Sequence, residues 1–101
     1  MLFRNDGLNK MVVLAQTIKK CHNKPSEKTV NQIVEGVDKM KHSTSKRYLE
    51  SVLITWLSIG NPDIAYKLCM KLAYEYALTL KMNTANEQSN FEQLERVVLS
   101  L

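Results

Sequence analysis

Five basic or titratable side chains fall within nine positions of this sequence: Lys39, Lys41, His42, Lys46 and Arg47. Met40 and the hydroxyl-bearing run Ser43-Thr44-Ser45 stand among them. Cations, hydroxyl donors and the free N–H groups of a helix start together suit phosphate oxygens. The same composition also describes a solvated lysine-rich turn, and composition alone leaves both readings open. His42 would give the patch a modest pH dependence, because an ordinary imidazole titrates near ~6.5. Lys67 and Lys71 would project together from one helix face, a turn apart. Lys19, Lys20, Lys24 and Lys28 form a further basic stretch. The candidate nucleic-acid-binding set is therefore Lys39, Lys41, His42, Lys46, Arg47, Lys67 and Lys71.

Other chemistry has little to build on. There is no glycine-rich phosphate loop, no nucleophile elbow and no pair of histidines on one helix face. Glu27, Glu35 and Asp38 read as the polar positions of an amphipathic helix. Catalysis is not expected, nor is a small-molecule substrate. Two cysteines, Cys21 and Cys69, cannot make a disulfide framework and read as small apolar side chains in a reducing, cytoplasmic compartment. Cys21 and His22 are adjacent with no second pair at ligand spacing, so neither a metal nor another cofactor is expected. Most aromatic residues fall on core-facing positions. That disfavours a single-strand stacking platform and leaves backbone and shape recognition of a duplex as the natural nucleic-acid mode.

The spacing predicts the elements that must hold these residues. Leu8, Met11, Val12, Ala15 and Ile18 mark one face of a helix from about Asp6 to His22, with Asn9, Lys10, Gln16, Thr17 and Lys20 on the wet side. Ser26 caps a second helix whose apolar positions are Val30, Ile33, Val34, Val37 and Met40, and Gly36 weakens it by ~1 kcal/mol relative to Ala. A third helix runs from about Thr44 to Ile59. Its wide apolar face is Tyr48, Leu49, Val52, Leu53, Trp56, Leu57 and Ile59, and Gly60 stops it. Asn61-Pro62-Asp63 is a strong start signal for a fourth helix reaching about Met82. Its polar positions, Asp63, Lys67, Lys71, Glu75 and Thr79, recur strictly every four residues. One thin polar stripe means burial on most sides, so this helix is central, or contacts a second subunit, or both. Thr84 and Glu87 fit a capping box for a fifth helix with Phe91, Leu94, Val97, Val98 and Leu101 as its apolar face.

Composition agrees. The chain has 101 residues, 45% of them hydrophobic and 24% charged, which suits one globular domain. Three glycines and two prolines are too few for a sandwich or barrel with a turn every 8–12 residues. No apolar run approaches the ~20 residues needed to span a membrane, and the amino-terminal residues lack a signal-peptide apolar segment. The net charge of +4 is a mild excess. The fold class is all-α: a single domain of about five amphipathic helices with short connections, covering residues 1–101.

The run Leu53-Ile54-Thr55-Trp56-Leu57-Ser58, followed by Asn61-Pro62-Asp63 and Tyr66-Lys67-Leu68, resembles the amino-terminal part of the tenuivirus non-structural RNA-silencing suppressors, of the rice stripe and rice hoja blanca type. Pro25-Ser26, some thirty residues before the tryptophan, fits the same layout. The similarity spans roughly Pro25 to Leu68, with small gaps, and does not extend to the first helix or beyond Leu68. It implies a helical homodimer that binds short double-stranded RNA without regard to sequence and sequesters small interfering and micro RNA duplexes. It also implies a host-cell cytoplasmic location and a chain that is the amino-terminal part of a longer protein.

The expectation is thus a non-enzymatic, homodimeric binder of short double-stranded RNA. A two-fold pair would present the basic corner twice to a backbone that is itself two-fold on average. Two alternatives stand beside it. One is a helical protein-interaction module, since Trp56, Gly60, Ala65 and Cys69 partly match the spacing of a tetratricopeptide-like hairpin, without a second copy. The other is a DNA-binding regulator built on the second and third helices, whose apolar third helix leaves little to contact bases.

Overall fold

A side-chain cap opens each helix of the computed structural model, which describes residues 3–21, 25–41 and 43–101. The elements are α1 (Asp6–Lys20), α2 (Glu27–Asp38), α3 (Thr44–Ile59), α4 (Pro62–Leu78) and α5 (Ala85–Leu99). The side chains of Asn5, Ser26, Ser43, Asn61 and Thr84 accept from backbone N–H groups two or three residues on. Each satisfies donors that a helix start would otherwise leave unpaired. Gly60 closes α3 at φ 70°, a left-handed conformation that glycine adopts without steric cost. No strand occurs among the described residues. The radius of gyration is 13.2 Å, close to the ~13 Å typical of this length.

Two helices end sooner than their periodicity predicts. Cys21 turns extended after Lys20 and caps α1 through its N–H to Ile18, ahead of the expected end near His22, which lies outside the described residues. α4 stops at Leu78 rather than near Met82. There the Thr79 hydroxyl donates to the Tyr76 carbonyl at 2.6 Å, and the N–H groups of Thr79 and Leu80 tighten onto Tyr76 and Ala77. Such three-residue closures end a helix. Leu80 and Met82 then fold back against the core as loop residues.

α4 is the centre, packed against α1, α3 and α5. Ala65, Cys69, Ala73 and Ala77 recur every four residues along it, each at most 1% exposed. These small residues let α1 come close, and the Cys69 thiol donates to the Met11 carbonyl at 3.2 Å. All five predicted α1 core positions, Leu8, Met11, Val12, Ala15 and Ile18, are buried. The two helices run antiparallel: Leu8 shares a cleft with Leu80 at one end, and Cys21 shares one with Pro62 at the other. α3 returns antiparallel beside α4, so that Tyr48 meets Tyr76 edge-on at 6.5 Å. Tyr74 stacks on Phe91 of α5 at 5.7 Å and donates to Glu95 at 2.7 Å, a bond that holds the phenol above its ordinary pKa.

Three expectations about faces are corrected. Asn9 is not a solvent residue. Its side chain bonds both the N–H and the carbonyl of Phe3, pinning the amino-terminal strap so that Phe3 is buried. Leu57 and Ile59 of α3 are 38% and 56% exposed, because no element covers the last turns of that helix. Val34 of α2 is exposed too, and Val37 alone in α2 is fully buried. α2 packs mainly on α3, and its small valines do not close the space beside it.

Gly7 marks the tightest approach of α1 to α3. A Cβ there would lie 2.4 Å from Ser45 Oγ and 2.8 Å from Ser45 Cβ. Ser45 is buried, so it cannot swing away. In an open helix, Gly→Ala stabilises by up to ~1 kcal/mol. Here Gly7→Ala is expected to destabilise by ~1–3 kcal/mol through overpacking, and thermal unfolding reads the sign directly.

Candidate nucleic-acid interface

The end of the molecule where α1 and α3 begin and α4 finishes carries the basic corner. Ser43 adopts an extended conformation and caps α3 by accepting from the Lys46 N–H at 3.2 Å. It also shares a 2.9 Å hydroxyl–hydroxyl bond with Ser45. Thus the hydroxyl run between the lysines first builds the helix start. Lys46 is half-buried, and its ammonium donates to the Met40 carbonyl at 3.3 Å. That contact ties the end of α2 to the start of α3 and satisfies a carbonyl past the α2 terminus, where a cation is favoured by the helix dipole.

Lys39 is the cap residue of α2, Lys41 lies in the connection and Arg47 in the first turn of α3. All three are exposed, and none is within ion-pair distance of an acid among the described residues. The Thr44 N–H is likewise untaken by the described residues. His42 lies outside the described residues. Three open cations and one structural lysine therefore gather around a helix start, the geometry that suits a phosphate.

Lys67 and Lys71 do not join them. Lys67 is held by Asp63 at 3.2 Å. Both lysines are exposed on the face of α4 turned away from the buried Ala65–Cys69–Ala73–Ala77 ridge. Tyr76 marks the α4 level nearest the corner, and Lys67 sits nine residues before it, about 13 Å along the axis. α2 and its grooves lie on the α1 and α3 side. The expected set thus divides into a corner and a separate α4 pair.

No family model, curated protein or solved structure matches the chain. The function must accordingly be argued from the surface itself.

Sequence reasoning missed the acids bordering the corner. Asp38 and Glu50 line the groove between α2 and α3, one residue before Lys39 and three after Arg47. Their positions in the chain were plain, but their convergence depends on how α2 lies on α3. Lys19 is drawn over the Tyr66 ring at 5.2 Å, which uses part of the other basic stretch for packing. The two cysteines are free. Burial pushes the Cys69 thiol up to about 12, so it serves as a packed, un-ionised group. Among the described residues, no three His, Cys, Asp or Glu side chains gather as a metal site would require, and no helix is long and apolar enough to cross a membrane.

Proposed function

We propose that the protein binds short double-stranded RNA through its backbone, without catalysis, and that it does so as a homodimer presenting the corner twice. The observation that supports this reading is the cluster of Lys39, Lys41 and Arg47, exposed and unpaired around the start of α3. Point cations and a guanidinium fork can neutralise phosphates but cannot reach base edges in the deep, narrow major groove of A-form RNA. Recognition would then follow backbone shape and 2′-hydroxyls. The similarity of the Leu53–Leu68 region to the tenuivirus suppressors adds sequestration of small interfering and micro RNA duplexes in the host cytoplasm as the biological role.

A net charge of +4 per chain doubles in a pair, and counterion release makes the association steeply salt-dependent. Sedimentation of the protein with a short RNA duplex at low salt tests the assembly. Two chains per duplex are expected. A single chain per duplex removes the two-fold clamp, and free duplex at low salt removes the function.

A further inference from the structure

The space beside α2 has a chemistry opposite to the corner. A groove of about 320 Å³ runs between α2 and α3. Its floor is Val37 and Leu53, its walls Val34, Ile54 and Leu57, and its two charged side chains are Asp38 and Glu50. No basic residue lines it. Ile54 is 66% exposed, and Val34 and Leu57 are each 38% exposed, so apolar surface faces water along two turns of α3.

We infer that this groove docks an amphipathic helix of another protein, one with an apolar stripe flanked by lysine or arginine. Three observations argue for that occupant. Glu50 to Leu57 spans about 10 Å of helix, room for two to three turns of a docked helix. A stripe at i, i+3/i+4 and i+7 would fill the space between Val34 and Leu57, while its flanking cations meet Asp38 and Glu50. The chain exposes 6492 Å², whereas a monomer of 11.6 kDa typically exposes about 5,800 Å². The excess of roughly 650 Å² approaches the ~800 Å² that one partner contributes to a standard interface.

A second copy docked face to face fits less well, because its Asp38 and Glu50 would meet their own equivalents across the two-fold axis. RNA is repelled by the same carboxylates. The groove is therefore a site separate from the corner, and it stands independently of the RNA reading.

Fluorescence anisotropy of the full chain with a synthetic leucine–lysine amphipathic helix tests the inference, using a leucine–glutamate helix of the same spacing as comparison. The lysine peptide is expected to bind and the glutamate peptide to bind at least about tenfold more weakly. Ile54→Asp and Glu50→Lys are each expected to weaken the lysine peptide about tenfold or more, while Ile64→Asp, exposed on α4 outside the groove, changes nothing. All three side chains are exposed, so the variants fold. Equal binding of both peptides, no binding of the lysine peptide, or indifference to Ile54→Asp overturns the inference. So does a dimer of the free protein that Ile54→Asp dissociates, which would make a second copy the occupant. Duplex RNA binding by Ile54→Asp, measured in parallel, stays at the parent level.

Discussion

Replacing Lys41 and Arg47 together by alanine is expected to weaken duplex RNA binding roughly ten- to hundredfold, at about 1 kcal/mol or slightly more per charge-assisted hydrogen bond lost. The salt dependence should change with it. Each phosphate contact contributes about 0.9 to the log–log slope in the B-DNA calibration, so losing two flattens it by about 1.8 per chain. Both side chains are exposed and unpaired, so the variant should keep its thermal stability. Lys67→Ala with Lys71→Ala is the matched comparison. It removes the same formal charge from the opposite side of α4, where Lys67 is already held by Asp63. Beyond the ~8 Å screening length of physiological salt that charge contributes little to a corner contact, and affinity should change about twofold or less. Equal losses from the two pairs would mean that net charge, not the corner, governs binding.

The largest expected effect on folding comes from Ala73→Leu. Ala73 is fully buried on the α4 ridge that faces α1. Its neighbours along the ridge, Cys69 and Ala77, are equally enclosed, and Cys69 already touches the α1 backbone. Three added carbons have nowhere to go without separating the two helices. Overpacking of this kind costs about 3 kcal/mol, which lowers the melting temperature of a domain this size by roughly 10–20 °C. Glu75→Leu, two residues on and exposed, should shift stability by no more than ~0.5 kcal/mol. The contrast tests the orientation of α4 more sharply than either variant alone.

What the sequence made legible was local. Ser26, Ser43, Asn61-Pro62 and Thr84 each begin a helix by bonding N–H groups within three residues of themselves, so their role needs no knowledge of the rest of the fold. The strict four-residue recurrence of Asp63, Lys67, Lys71, Glu75 and Thr79 likewise placed α4 at the centre, because a helix with so narrow a polar face has neighbours on its other sides. All five of those residues are exposed.

What stayed hidden depends on contacts between helices. Asn9 has the composition of a surface residue and becomes a clamp only because the chain before α1 folds back over it. Gly7 is essential to the packing only because Ser45 lies across from it, 38 residues away in sequence. Leu57 and Val34 carry the periodicity of core residues, yet α2 meets α3 too shallowly to cover them. The candidate site divides for the same reason. Lys39, Lys41, Lys46 and Arg47 were near each other by chain connectivity alone, whereas Lys67 and Lys71 could be placed only once the face of α4 turned towards α1 was known.

The central claim is recognition of duplex RNA by backbone and shape. One gel-shift series tests it most directly, with a short RNA duplex, the single strand and the DNA duplex of the same sequence side by side at low and at physiological salt. The account predicts a shift for duplex RNA that weakens steeply with salt, with little or none for single-stranded RNA and weaker binding to duplex DNA, which lacks 2′-hydroxyls and A-form shape. No shift of duplex RNA at low salt, or equal shifts for all three, would contradict it.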